Sequence, residues 1–182
     1  MTTNPAPSDE GRRWLRHCLA TLAYRAGKAV RGAPPGFGDL RLAEPTAMTP
    51  AQILAHMGDL MEWALSLAQG RQTWPGSAPR PWDAEVDRFF GALAALDAYL
   101  ASLAPLHAPP ERLFQGPIAD ALTHVGQIAT RRRLAGAPVR GENYFVAEIA
   151  IGRVGLEQAP PVREAAIEPV RNAPARRAEE RA

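Results

Sequence analysis

The stretch GPIADALTHVGQIATRRR, residues 116–133, decides how the chain folds and what it can hold. Ile118, Leu122, Val125 and Ala129 recur at helical spacing and define one apolar face. Asp120, His124, Gln127 and Arg131 recur on roughly the opposite face, with Thr123 at its edge. Periodicity alone reads that second face as the side that meets water. Composition pulls the other way. A solvated helical face is usually built from strong helix formers such as Glu, Lys and Arg. This one sets Asp, Thr and His around Gly126, which are poorer helix formers.

The spacing also has a chemical meaning. Residues at i and i+4 of a helix stand about 5–6 Å apart at Cβ, so Asp120 and His124 can share one divalent ion. A histidine from a facing helix would complete a set of two imidazoles and one carboxylate, with coordination positions left open for water or substrate. Spacing cannot choose that third ligand. His56, on an earlier helix, flanks an apolar stripe beside Leu60, Trp63 and Leu67. Taken alone, it reads as an ordinary core histidine hydrogen-bonded to a neighbour.

Outward from this stretch, the chain is a series of helical patterns separated by proline- and glycine-rich joints. The first runs from near Ser8, read as its cap, through Trp14, Leu15, Cys18, Leu19, Leu22 and Val30 to GAPPGFG (32–38). Thr49-Pro50 opens the second, a capping residue followed by proline at the first helical position. Its stripe is Ile53, Met57, Leu60, Met61, Ala64 and Ala68. After GRQTWPGSAPRPW (70–82), Asp83 is read as the cap of a third helix. That helix buries Val86, Phe89, Phe90, Leu93, Leu96, Leu100 and Leu103. The fourth is expected from Pro117 to Gly136, and ENYFVAEIAIGRVG (142–155) reads as a short further helix closing over the others. No strand pair stands out, so the fold class expected is all-α, a helical bundle. Residues 1–158 read as one domain, and 159–182 as a loosely held tail rich in Pro, Arg and Glu.

Bulk composition agrees with a folded domain. The 182 residues are 46% hydrophobic, enough to bury a core. The formal net charge is +2, and acids are interleaved with the arginines, which argues against a nucleic-acid interface. No recognition-helix pattern stands out either. No apolar run reaches the length of a membrane span, and MTTNPAPSDEGRR has no signal-peptide pattern. Cys18 is the single cysteine, which fits a reducing compartment. The expectation is a cytoplasmic protein with no nucleic-acid or membrane partner.

TPAQILAHMGDLMEWAL (49–65), ADALTHVGQIATRRRLAGAPV (119–139) and ENYF (142–145) resemble the DinB/YfiT-like metalloenzyme superfamily, in particular its uncharacterised bacterial members. The similarity spans the first helix to about residue 158. Its most specific part is Thr-Pro-x-x-x-Leu-x-His on one helix paired with His-x-Gly-Gln on a later one; here Val125-Gly126-Gln127 follows His124. The resemblance implies a four-helix bundle, often dimeric, with three ligands at one end. It places His56 and His124 as two of them. The third family ligand, typically histidine, falls on Asp120, a departure that makes the site more negative and harder. One divalent ion is implied, whether Zn, Ni, Mn or Fe, with Gln127 orienting a ligand or water and Arg131 near the mouth. The resemblance also implies thiol-dependent transferase or hydrolase chemistry on a small molecule, with a low-molecular-weight thiol as partner. The contrasting reading is a non-catalytic, metal- or ligand-binding dimeric bundle, since no acid–base residue is evident beyond the ligands.

Remaining candidates read as structural. Cys18 is a small core residue, His107 is solvated in a proline-rich loop, and Arg131, Arg132 and Arg133 suit a helix C-terminus. Trp74 and Trp82 flank a loop and are candidates to shield the site.

Overall fold

The computed structural model describes residues 7–44 and 46–165. Within them the structure is helical. Four long helices dominate: α1 (Pro7–Val30), α2 (Pro50–Ala68), α3 (Trp82–Ala101) and α5 (Ala119–Leu134), with a single turn, α4 (Pro110–Leu113), before the last. No strand forms among the described residues. One isolated antiparallel bridge joins Glu142 to Glu164.

The helices pack in the ring order α1, α3, α2, α5 and back to α1. Their directions follow from where they touch. Arg12 near the start of α1 donates to Leu100 O at the end of α3, and Arg16 one turn on pairs with Asp97, so these two are antiparallel. The first residues of α2 and α3 both crowd Gly38, where an added Cβ would lie 2.8 Å from the Trp82 side chain. These two helices therefore run the same way. Gly11 meets Pro110, while Arg132 donates to carbonyls at the end of α1, so α5 runs with α1.

The α2 stripe is buried as the periodicity requires: Ile53, Met57, Leu60, Met61, Ala64 and Ala68 are all in the core. Its start is a complete capping box. The Gln52 N–H donates to Thr49 Oγ1 at 3.3 Å, and the Thr49 N–H donates to Gln52 Oε1 at 2.7 Å. On α3, Val86, Phe89, Phe90, Leu93, Leu96 and Leu100 are buried, but Leu103 lies past the helix end and is fully exposed. Trp14 on α1 also lies largely outside the core, against Phe114.

Several boundaries differ from expectation, each for a local reason. α1 already begins at Pro7, so Ser8 lies in its first turn. α3 begins at Trp82, which puts Asp83 inside the first turn, where its charge still suits the helix dipole. No side chain caps α3; Glu85 instead ties down the loop before it, accepting from the Arg80 N–H at 2.8 Å. The fourth helical segment does not start at Pro117. It enters through α4 and a π-helical turn over Phe114–Ile118 that contains Pro117. Proline has no N–H to donate to the preceding turn, and widening that turn accommodates it.

Residues 142–155 are not a helix. They form one 3-10 turn, Tyr144–Val146, capped by Asn143 accepting from the Phe145 N–H, and then an irregular strap. Glu142 is held by α1: Tyr24 Oη donates to it at 2.6 Å and Lys28 Nζ at 2.6 Å. Phe145, Val146 and Ile151 are exposed, and Val154 is the residue of this segment that reaches the core. The expected loose tail is described only to residue 165. Over that part it pairs with the strap, the Asn143 N–H donating to Arg163 O and the Ala165 N–H to Gly141 O. The rest of the tail lies outside the described residues.

Candidate metal centre

α2 and α5 pack side by side, and their facing sides carry the site. His56 sits in the second turn of α2 and His124 in the second turn of α5, with their rings perpendicular and centroids 4.9 Å apart. Asp120, one turn before His124, reaches both. Its Oδ2 lies 3.5 Å from His56 Nε2 and its Oδ1 lies 3.5 Å from His124 Nε2. One ligand atom from each of the three falls within 4.8 Å of the others. Donors about 2.0–2.2 Å from one ion are separated from each other by roughly 3–3.5 Å in tetrahedral geometry. Each imidazole Nε2 stands 3.5 Å from one of the two Asp120 oxygens, and side-chain adjustment would bring the three residues' donors from within 4.8 Å to that spacing. The set therefore fits a divalent ion bound by two imidazoles and a carboxylate.

Gln127 prepares His124 for that role. Gln127 Oε1 faces His124 Nδ1 at 3.1 Å. An amide oxygen accepts, so this contact selects the tautomer with the proton on Nδ1. It leaves Nε2, the nitrogen facing Asp120 and His56, with its lone pair free.

The polar stripe of α5 is neither solvated nor interior as a whole. His124 and Arg131 are buried, the Asp120 side chain is 47% exposed, and Gln127 is exposed. The stripe runs along the α2–α5 seam, where one edge of the helix meets protein and the next meets water. Arg131 lies seven residues past His124, lining a shallow groove with Thr123, Gly126, Gln127 and Thr130.

Trp74 partly covers His56, with ring centroids 5.7 Å apart, and stands on Trp63 at 5.7 Å. Trp82 does not shield the site. It packs edge-on against Phe37 at 5.1 Å and lines a different pocket at the end of α1.

The position of Trp74 depends on a buried ionic cluster that sequence reasoning missed. Arg88 on α3 donates to Glu85 at 2.8 Å, Asp59 at 2.8 Å and Glu62 at 3.0 Å. The bonds to these carboxylates, which outweigh the cost of its burial, hold the guanidinium pKa above its ordinary value. The other Asp59 oxygen accepts from the Ser77 N–H at 2.9 Å, and Ser66 exchanges hydrogen bonds with Thr73. The loop carrying Trp74 is thus tied down on both sides. The sequence signal was present: Asp59, Glu62 and Ser66 at i, i+3 and i+7 form a second polar face on α2.

The candidates read as structural keep that character. Burial pushes the Cys18 thiol up, away from thiolate reactivity. Arg132 donates to Ala29 O, Arg31 O, Gly32 O and Ala137 O, closing the ends of two helices. His107 is exposed and stays at the joint, its N–H donating to Ala68 O. Comparison of the chain with protein-family models, with curated proteins and with solved structures finds no match.

Proposed function

We propose that the protein is a divalent-metal-dependent enzyme of the DinB/YfiT-like kind, built on a four-helix bundle of that type and acting on a small molecule. The observation that carries this reading is the meeting of His56, Asp120 and His124 from two helices, within 4.8 Å of one another. The Gln127 contact supports it, because a histidine ligand usually has its second nitrogen fastened in this way. The packing of α5 against both α1 and α2 supports the bundle type.

A bound zinc, nickel, manganese or iron ion would supply Lewis acidity, polarising a substrate oxygen or lowering the pKa of a water or thiol. The chain supplies the rest. His56 and His124 would hold it by imidazole nitrogens, and Asp120 would contribute the one negative charge from the solvent side. Trp74 limits water over His56, while the half-exposed Asp120 leaves a way in. The reaction class is a thiol-dependent transfer or a hydrolysis. A low-molecular-weight thiol as cosubstrate, a homodimer and a cytoplasmic setting belong to the same reading.

Elemental analysis of protein purified without chelator, then supplied with each metal in turn, tests it. The expected result is one tightly held ion per chain, absent from His56→Ala and His124→Ala. Wild-type protein that stays metal-free after loading would overturn the reading. Turnover in a panel of thiols and electrophilic acceptors then separates the enzyme from a non-catalytic metal-binding dimer, which would hold the ion and convert nothing.

A further inference from the structure

Among the described residues Arg131 and Arg132 are buried and the Arg88 side chain is nearly so, and two of these three are fully engaged: Arg88 by carboxylates and Arg132 by helix-end carbonyls. Arg131 is the exception. It is 9% exposed, and its Nη1 is shut off from solvent with no hydrogen-bond partner among the described residues. No ion pair of Arg131 occurs among them either. A guanidinium nitrogen held out of water without a partner is costly, and a bound anion that drew the group outward would relieve that cost.

Its surroundings suit one. Arg131 lines a groove of about 450 Å³ whose other walls are Thr123, Gly126, Gln127 and Thr130, with no carboxylate among them. Gln127 spends its amide oxygen on His124, which leaves its N–H₂ to donate. Nothing lies within 4 Å of where a Gly126 side chain would be, so approach from outside is open. No hydrogen bond or ion pair among the described residues holds the guanidinium in its present position, so turning it toward the groove breaks none of them.

We propose that Arg131 anchors an oxyanion subsite, where its guanidinium fork and the Gln127 amide take the carboxylate or phosphate group of a small molecule. The subsite stands two helical turns, about 10 Å of helix rise, beyond His124 on the same face of α5. Resting on the metal reading above, it names the substrate class: an anionic molecule whose charged end is held at Arg131 while its reacting end lies toward His56, Asp120 and His124. The anion site itself stands on Arg131 alone.

The test is an amide-resolved NMR titration of the metal-free full chain with succinate, with inorganic phosphate and with neutral succinamide. Saturable shifts centred on Gly126, Gln127, Thr130 and Arg131 are expected with at least one anion, and none with succinamide. The tighter of the two anions identifies the group. Arg131→Gln should weaken binding by about tenfold or more, a change of about 1.4 kcal/mol. Arg131→Lys, which keeps the charge, should recover part of it. Absence of saturable binding to wild type at millimolar anion, shifts mapping elsewhere, or equal affinity in Arg131→Gln would overturn the subsite. The two proposals fail separately. Metal uptake without anion binding removes the subsite alone. Anion binding through Arg131 in a chain that takes no metal removes the metal reading alone.

Discussion

His124 needs its proton on one ring nitrogen and its lone pair on the other, and Gln127 is the residue that arranges this. Gln127→Ala leaves Nδ1 without its acceptor and the ring free to turn. Metal affinity should fall by about 10–100-fold, the range for loss of such a supporting contact. Competition against a chromophoric chelator measures it, and unchanged affinity would show that the 3.1 Å contact does nothing for the ring. Asp120 is tested by charge. Asp120→Asn keeps the shape but removes the only anionic donor of the cluster, and is expected to lose the ion. Asp120→His restores a three-imidazole set and is expected to retain one, shifted toward softer metals.

At the scale of elements, the site depends on α2 and α3 meeting closely enough for Arg88 to reach across. Gly58 makes that possible, since a Cβ there would lie 2.8 Å from Arg88 Cζ. The guanidinium is fixed by three carboxylates and cannot simply move aside. Gly58→Ala should therefore destabilise the protein by about 1–3 kcal/mol in denaturant unfolding. It should also disturb the fluorescence of Trp74, whose loop the same cluster anchors. A normal melt with unaltered emission would mean that Arg88 repacks freely. Leu93→Ala offers a comparison away from the site. Leu93 is wholly buried, and its truncation should cost about 2–5 kcal/mol by cavity formation.

Across the whole molecule, the strap after α5 is tied back to α1 through charge. Lys28 pairs with Glu142 at 2.6 Å and with Glu164 at 2.7 Å. Burial alone would lower the Lys28 pKa, but the hydrogen bonds to the two glutamates outweigh it and hold it above 10.5. The hydrogen bond from Lys28 holds Glu164 below 4.5. Glu164 therefore adds stability above its ordinary range, and that stability is lost as pH falls through its lowered value in the folded chain. Lys28 adds stability below 10.5, lost as pH rises through its raised value. Burial, with Glu142 alongside, keeps the Tyr24 phenol neutral past its ordinary value, so it does not weaken the tie earlier. Protection of the Asn143 and Ala165 amides from hydrogen exchange, taken relative to the intrinsic rate at each pH, should be high across the neutral range and fall at both extremes. Lys28→Met should show the low protection throughout. Protection in that variant equal to wild type would assign the tie to the backbone pairing alone.

Much of the helical framework was legible in the chain itself. The stripe from Ile53 to Ala68 and the Thr49–Gln52 box are local patterns, each confined to one helix, and each appears in the structure. The pairing of Asp120 with His124 was legible for the same reason, because four residues of helix fix their separation. Elements whose form depends on distant contacts were misread. The 142–155 segment has helical-looking periodicity, yet Tyr24 and Lys28 hold its first residue and the 163–165 stretch pairs alongside it. Pro117 looked like a helix start because its missing N–H suits one, while the chain on both sides carries the helix through it as a wider turn. By itself the sequence determined which faces are apolar, where α2 is capped, and that one face of α5 carries ligand-type residues. Only the tertiary structure decided that His56 meets that face, that Arg88 gathers three carboxylates under the Trp74 loop, and that Arg131 is buried without a partner among the described residues. Helical periodicity sets separations of a few residues along one axis. The approach of two helices, and the solvent each side chain then loses, is set by how their apolar faces pack.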